Sequence, residues 1–184
     1  MGKQDRDELL GHWRSEGPVL REGDFHRWLS SSTGLLAECL GVPGLEVTGR
    51  EVVIGEQVAS FDSLGRRRLD GGLRPDLMAR DVQRRTVAIE AQFGPADHDH
   101  LGKLVAYASA VQADVAVWAV AAAEPPFLCE HLDAIAELNK EFPSRRRFIP
   151  VTVTLESDPS PMPPPPDEPL LPRVRLADSP TSGS

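Results

Sequence analysis

Two carboxylates and an amide are the residues of this chain best placed to do chemistry. Arg74-Pro75-Asp76-Leu77 is followed, one hairpin later, by Val87-Ala88-Ile89-Glu90-Ala91-Gln92. The stretch between them, Asp81-Val82-Gln83-Arg84, is polar and reads as an exposed turn. A hairpin centred on Gln83 sets Asp76 and Glu90 directly opposite each other. Side chains so opposed have Cβ atoms about 4.5–5.5 Å apart, and like charges that close repel unless a cation lies between them. Strand alternation adds Gln92 to the face that carries Glu90. The donors on offer are all oxygens, which suits Mg²⁺ or Mn²⁺ better than Zn²⁺. A cation held there would activate water and neutralise charge developing on a phosphate, so the chemistry indicated is phosphodiester hydrolysis. The plainer reading pairs Asp76 and Glu90 with arginines such as Arg74 or Arg85.

The next segment, Asp97-His98-Asp99-His100-Leu101-Gly102-Lys103-Leu104-Val105-Ala106-Tyr107, predicts a helix running to about Gln112. Asp97 is a natural cap, and Leu101, Leu104, Val105, Ala108 and Val111 form one apolar stripe. His100, Lys103 and Tyr107 fall together on the opposite side of the wheel. A helix starting just after the Glu90 strand brings Lys103 and Tyr107 towards the carboxylates, where Lys103 would supply a positive charge. Two other readings compete: a solvent-facing polar stripe, or a separate Asp-His-Asp-His metal site, although residues two apart diverge on a helix.

The elements that must position these groups alternate between helical and extended. Phe25, Trp28, Leu29, Leu36 and Leu40 mark the inner face of one helix or two short ones, with Asp24 as N-cap. Gly41-Val42-Pro43-Gly44 ends that element. Strands are expected over 46–54, 57–61, 73–79 and 86–93, then a buried strand at 115–120. A helix over 126–141 and a final strand over 148–155 complete the order. That is α/β, a mixed central sheet covered by helices on both faces.

Residues 1–23 read as a helical or irregular extension and 24–156 as the domain. Residues 157–184 read as an extended or disordered tail, holding nine of the seventeen prolines. Within the tail, Leu170-Leu171-Pro172 and Arg173-Val174-Arg175 form a candidate docking segment for a protein partner. The net charge of −8 argues against nucleic acid coating the whole surface. The runs Arg66-Arg67-Arg68, Arg84-Arg85 and Arg145-Arg146-Arg147 still leave a local basic groove open, solvated loops being the other reading. Cys39 and Cys129 lack metal or disulfide spacing and are expected as small core residues in a reducing cytoplasm. No apolar stretch is long enough to span a membrane, and the charged start lacks a signal core. A cytoplasmic location is therefore expected.

Pro75-Asp76, then Glu90-Ala91-Gln92, then a helix with Lys103 and Tyr107 resembles the PD-(D/E)xK nuclease superfamily, whose core is helix, three-stranded meander, helix, strand. Ala88-Ile89-Glu90-Ala91-Gln92-Phe93 running into Asp97-His98-Asp99-His100-Leu101-Gly102-Lys103 is similar to a bacterial branch with an I-E-x-Q strand and a D-H-x-H-L-G helix. The helix from Glu130-His131 to Leu138-Asn139 is similar too, and the resemblance covers about residues 25–153. It implies a restriction-endonuclease-like fold and a Mg²⁺-dependent DNA endonuclease, or a nuclease-like subunit of a bacterial defence or repair system. Asp76, Glu90 and the backbone carbonyl of Ala91 would bind the metal, with Glu38 of the first helix as a further carboxylate, itself more simply read as an exposed helical glutamate. Gln92 takes the place of the superfamily lysine and would position water. Lys103 would stabilise the phosphate, and His100, Tyr107 and Arg74 would contact substrate. The glutamine keeps open an inactive, nuclease-derived module that binds nucleic acid or a protein. A second copy of the chain is a further candidate partner.

Overall fold

A computed structural model describes residues 22–54, 59–61, 67–69, 73–122, 125–142, 146–156 and 171–177. Helix α1 (Glu22–Ser31) and helix α2 (Thr33–Cys39) are followed by strands β1 (Leu45–Arg50), β2 (Ala59–Phe61), β3 (Arg67–Leu69), β4 (Leu77–Asp81) and β5 (Thr86–Phe93). Helix α3 (His98–Ala110), β6 (Val115–Ala121), α4 (Cys129–Glu141), β7 (Arg147–Glu156) and β8 (Leu171–Leu176) complete the order. Six strands form one mixed sheet, β1-β4-β5-β6-β7-β8, and β2 pairs with β3 separately. β5, β6 and β7 run parallel, with α3 and α4 as crossovers, while the remaining pairs are antiparallel.

Alternation on the central strands divides the core in two. Val87, Ile89, Ala91 and Phe93 pack with Val117, Ala119, Phe25, Leu29 and Leu36 beneath α1 and α2. Ala88, Ala116, Trp118 and Val120 pack with Leu104, Ala108, Leu132 and Ile135 beneath α3 and α4. β5 and β6 are buried on both faces, as covered parallel strands must be. The hairpin register is Leu77–Ile89, Met78–Ala88, Ala79–Val87 and Arg80–Thr86, which centres the turn on Gln83 as the sequence predicts.

That turn is clamped by Asp81. Its buried carboxylate accepts from the Arg85 backbone amide at 2.9 Å and from Arg85 Nε at 2.6 Å. Burial pushes the Asp81 carboxyl up, but the Arg85 hydrogen bonds and charge outweigh it and hold it below its ordinary value. Asp81→Ala is expected to lower stability by about 1–2 kcal/mol at neutral pH, since it removes two charge-assisted bonds. The depressed group stabilises above its unfolded pKa and stops doing so as pH falls through the folded one. The variant and the parent should therefore converge in acid, a difference that thermal melts against pH would read.

Four expectations need correction. Asp24 lies inside the first turn of α1 and pairs with Arg27, because the helix starts two residues earlier than the apolar periodicity shows. Strand β3 was not foreseen in the Arg-rich stretch. Cys129 is exposed at the first turn of α4, and Cys39 is only partly buried; both are free thiols. Part of the proline-rich tail is ordered: β8 pairs with β7, from Val151–Leu176 to Glu156–Leu171. As an edge strand it tolerates Pro172, whose missing amide need not serve a further strand, and Val174 packs on the core. Residues 1–21, 157–170 and 178–184 lie outside the described residues.

Candidate metal and phosphate site

The β4–β5 ladder breaks where the candidate site begins. Asp81 donates its amide to the Arg85 carbonyl, so the hydrogen-bonded pairs of this ladder recur every second residue, through Ala79–Val87 and Leu77–Ile89. The next such pair is Pro75 with Ala91, and proline has no amide hydrogen. The Ala91 carbonyl therefore loses its ladder donor, and the Ala91 amide turns to the Asp76 side chain instead of the Pro75 carbonyl. Asp76 Oδ2 accepts the Ala91 amide at 2.8 Å, and His26 Nε2 donates to the Ala91 carbonyl at 2.9 Å. The Asp76 carbonyl accepts from the Glu51 amide at 3.1 Å, which fixes the residue from its other side.

Glu90 completes the pair. Its side chain is 3% exposed, and Oε2 is buried without a donor among the described residues. Contact with Asp76 is a hydrogen bond only when a proton sits between the two carboxyls. Burial, then the Asp76 charge, pushes the Glu90 carboxyl up to about 9. Burial also raises Asp76, opposed by the Ala91 amide and the charge of His26. Lys103 Nζ stands 4.0 Å from Glu90 Oε1 and is the compensating cation. Tyr107 is buried beside both acids and its hydroxyl hydrogen-bonds the Arg74 backbone. Burial, then the charges of Glu90 and Asp76, raise its pKa.

The geometry thus brings together Asp76, Glu90, Ala91, Lys103 and Tyr107, with His100 acting on Asp76 through its charge. Arg74 meets the group through its backbone, while its side chain is exposed. Two candidates are placed elsewhere. Glu38 is exposed on α2, whereas Glu22 of α1 is the first-helix carboxylate whose charge acts on both Asp76 and Glu90. Gln92 has its amide engaged: Oε1 accepts from Trp118 Nε1 at 3.2 Å, and Nε2 donates to the Pro95 carbonyl and to Asp97 Oδ2. Only the second lone pair of Oε1 is left to hold a water.

His26 and Glu22 were missed. Their signal was present, since they stand one helical turn apart beside the buried Phe25 and Leu29. The Asp-His-Asp-His run divides its labour. Asp97 caps α3 through the His100 amide and also accepts from His100 Nδ1 at 2.7 Å. His98 reaches across to α4, where buried His131 accepts the Leu128 amide on Nδ1 and so donates from Nε2 to His98 Nδ1 at 3.1 Å.

The donors fit a hard divalent cation. The acids are paired, buried and under-compensated, and Glu90 Oε2 awaits either a proton or a metal. Mg²⁺ commonly takes only one or two carboxylates and keeps several waters. Among the described residues no group of three or more His, Cys, Asp or Glu is arranged to hold a metal, so the protein share would be two carboxylates and the remaining lone pair of the Ala91 carbonyl.

The chain matches no family model, no curated protein and no solved structure. Among the described residues no helix is long and apolar enough to cross a membrane.

Proposed function

We propose that this protein is a Mg²⁺-dependent phosphodiesterase with a restriction-endonuclease-like fold, acting on DNA as an endonuclease. The observation that carries this reading is the buried Asp76–Glu90 pair at the broken end of the β4–β5 ladder, with Lys103 at 4.0 Å. When bound, Mg²⁺ (or Mn²⁺) would supply charge neutralisation at the phosphate and acidify water. Asp76 and Glu90 hold the cation, and Asp76 is itself held by the Ala91 amide. Lys103, 49% exposed, is free to swing from Glu90 to a phosphate oxygen. Tyr107 fixes the Arg74 backbone at the mouth of the site, and His100, oriented by Asp97, places a second donor on the same helix.

The test uses purified protein with Mg²⁺ or Mn²⁺ on linear, circular and single-stranded DNA. Asp76→Ala and Glu90→Ala should each lower cleavage by at least about 100-fold, as loss of a positioned electrostatic group does. Cleavage that survives both substitutions sinks the assignment. A second reading, a nuclease-derived module that binds without cutting, is favoured by the engaged amide of Gln92 and by His26 on the Ala91 carbonyl. Binding by the wild type with no cleavage of any substrate would select it.

A further inference from the structure

α3 and α4 cover the same face of the sheet and meet at their starts, where His131 donates to His98 Nδ1 at 3.1 Å. Beyond that contact an open groove of about 560 Å³ runs between them, from His98 to Val105 and from Ala134 to Glu141. That is about two turns of each helix. Leu101, Val105 and Leu138 line the groove and rest only partly on the core below. The rim is acidic. Glu137 and Glu141 line it and are exposed, and Glu130 and Asp133 continue the same exposed stripe of α4. Against these acids α4 sets one lysine, Lys140, itself bonded to Glu137. Gly102 is an independent sign of a visitor. A helix interior disfavours glycine relative to alanine, because glycine loses more backbone freedom on folding. Gly23 and Gly34 fall in the first turns of α1 and α2, whereas Gly102 is well inside α3. Nothing within the chain calls for it: a Cβ built there meets nothing within 4 Å beyond its own stretch of helix. Its exposed backbone forms part of the groove wall, where a missing side chain serves something that approaches from outside.

We propose that this groove is the docking site for a basic amphipathic helix of a partner protein. The helix lays its apolar ridge on Leu101, Val105 and Leu138 and crosses α3 at Gly102. Two turns of such a helix present apolar anchors at i, i+3, i+4 and i+7, which matches the length of the groove. Lysines or arginines beside that ridge meet Glu137 and Glu141. Charge decides against the other occupants. A second copy of the chain would bring the same acidic stripe against itself, since a two-fold contact uses one patch on both subunits. The phosphates of a nucleic acid would be repelled by the same acids. Such docking requires nothing of the Asp76–Glu90 pair.

Fluorescence anisotropy tests this with a labelled synthetic helix of about 14 residues, carrying leucines at i, i+3, i+4 and i+7 with lysines beside them. The wild type should bind it, and should bind a scrambled peptide of the same composition at least about tenfold more weakly. Gly102→Leu puts a side chain into the groove from a position where the Cβ meets no clash. It should weaken binding about tenfold or more, while the melting temperature holds or rises. E137K/E141K should also weaken binding, and should admit the same helix with glutamates in place of its lysines. No binding by the wild type, equal binding of the scrambled peptide, or unchanged affinity in Gly102→Leu would each overturn the proposal. A wild-type dimer that Gly102→Leu dissociates in sedimentation would give the groove to a second copy instead. A DNA duplex bound less well by Gly102→Leu would give it to nucleic acid, and either result overturns the proposal too.

Discussion

Replacing Glu90 by glutamine is expected to stabilise the metal-free protein while removing its response to Mg²⁺. Glu90 titrates near 4.5 in an unfolded chain and is pushed up to about 9 here, by burial and then by the Asp76 charge. A carboxyl raised in this way stabilises the fold fully below its unfolded pKa. The benefit is lost as pH rises from about 4.5 towards 9, and the curve is flat above that. Near pH 7 the loss amounts to about 3 kcal/mol at roughly 1.36 kcal/mol per pH unit. Asp76 shifts in the same direction, so the slope belongs to the pair. Glutamine is nearly isosteric, carries no charge and can donate to the Asp76 carboxylate. Melting curves from pH 5 to 9 should fall with pH for the wild type and fall less for Glu90→Gln, the two diverging by roughly 10–20 °C at pH 8. Parallel curves would show that Glu90 folds as an ordinary ionised carboxylate.

The second large effect belongs to Gln92. Gln92→Ala removes the partner of the fully buried Trp118 indole N–H and frees Asp97 Oδ2. An orphaned buried donor plus the cavity should cost about 3 kcal/mol. Because Asp97 caps α3, the loss reaches Lys103 one turn on from His100, and any Mg²⁺-dependent cleavage should fall with stability. Gln92→Lys is the sharper substitution. It places a cation beside the proposed metal pair, yet it offers a donor where Trp118 needs an acceptor. It should lower the melting temperature and fail to raise cleavage. A stable, more active Gln92→Lys protein would show that Gln92 faces the reacting phosphate.

The hairpin was legible because its register follows from local symmetry about Gln83 and from the period of two. The same logic divided Ala88, Glu90 and Gln92 from Val87, Ile89 and Ala91, and Asp97 announced α3 by its own capping chemistry. What escaped depends on distance in sequence. Trp118 meets Gln92 across 26 positions and His26 meets Ala91 across 65, and no periodicity encodes either contact. The missing amide of Pro75 is visible in the sequence, but its consequence, an Ala91 carbonyl without a ladder donor, needs the register as well. β8 was hidden because proline content signals disorder, whereas an edge strand can carry a proline. Cys129 misled through composition, since an apolar neighbourhood in sequence does not fix which side of a helix a thiol occupies.

In the proposed function Asp76 and Glu90 together hold a divalent cation. Calorimetric titration with Mg²⁺ at pH 7–8, in two buffers of different ionisation enthalpy, tests it most directly. Binding should release a proton, because the cation replaces the one retained by the pair, and affinity should rise with pH towards 9. Asp76→Asn and Glu90→Gln should each abolish both the heat and the proton release. Mg²⁺ binding of equal strength in the wild type and both variants, or no binding by the wild type, would rule out a cation site at Asp76 and Glu90.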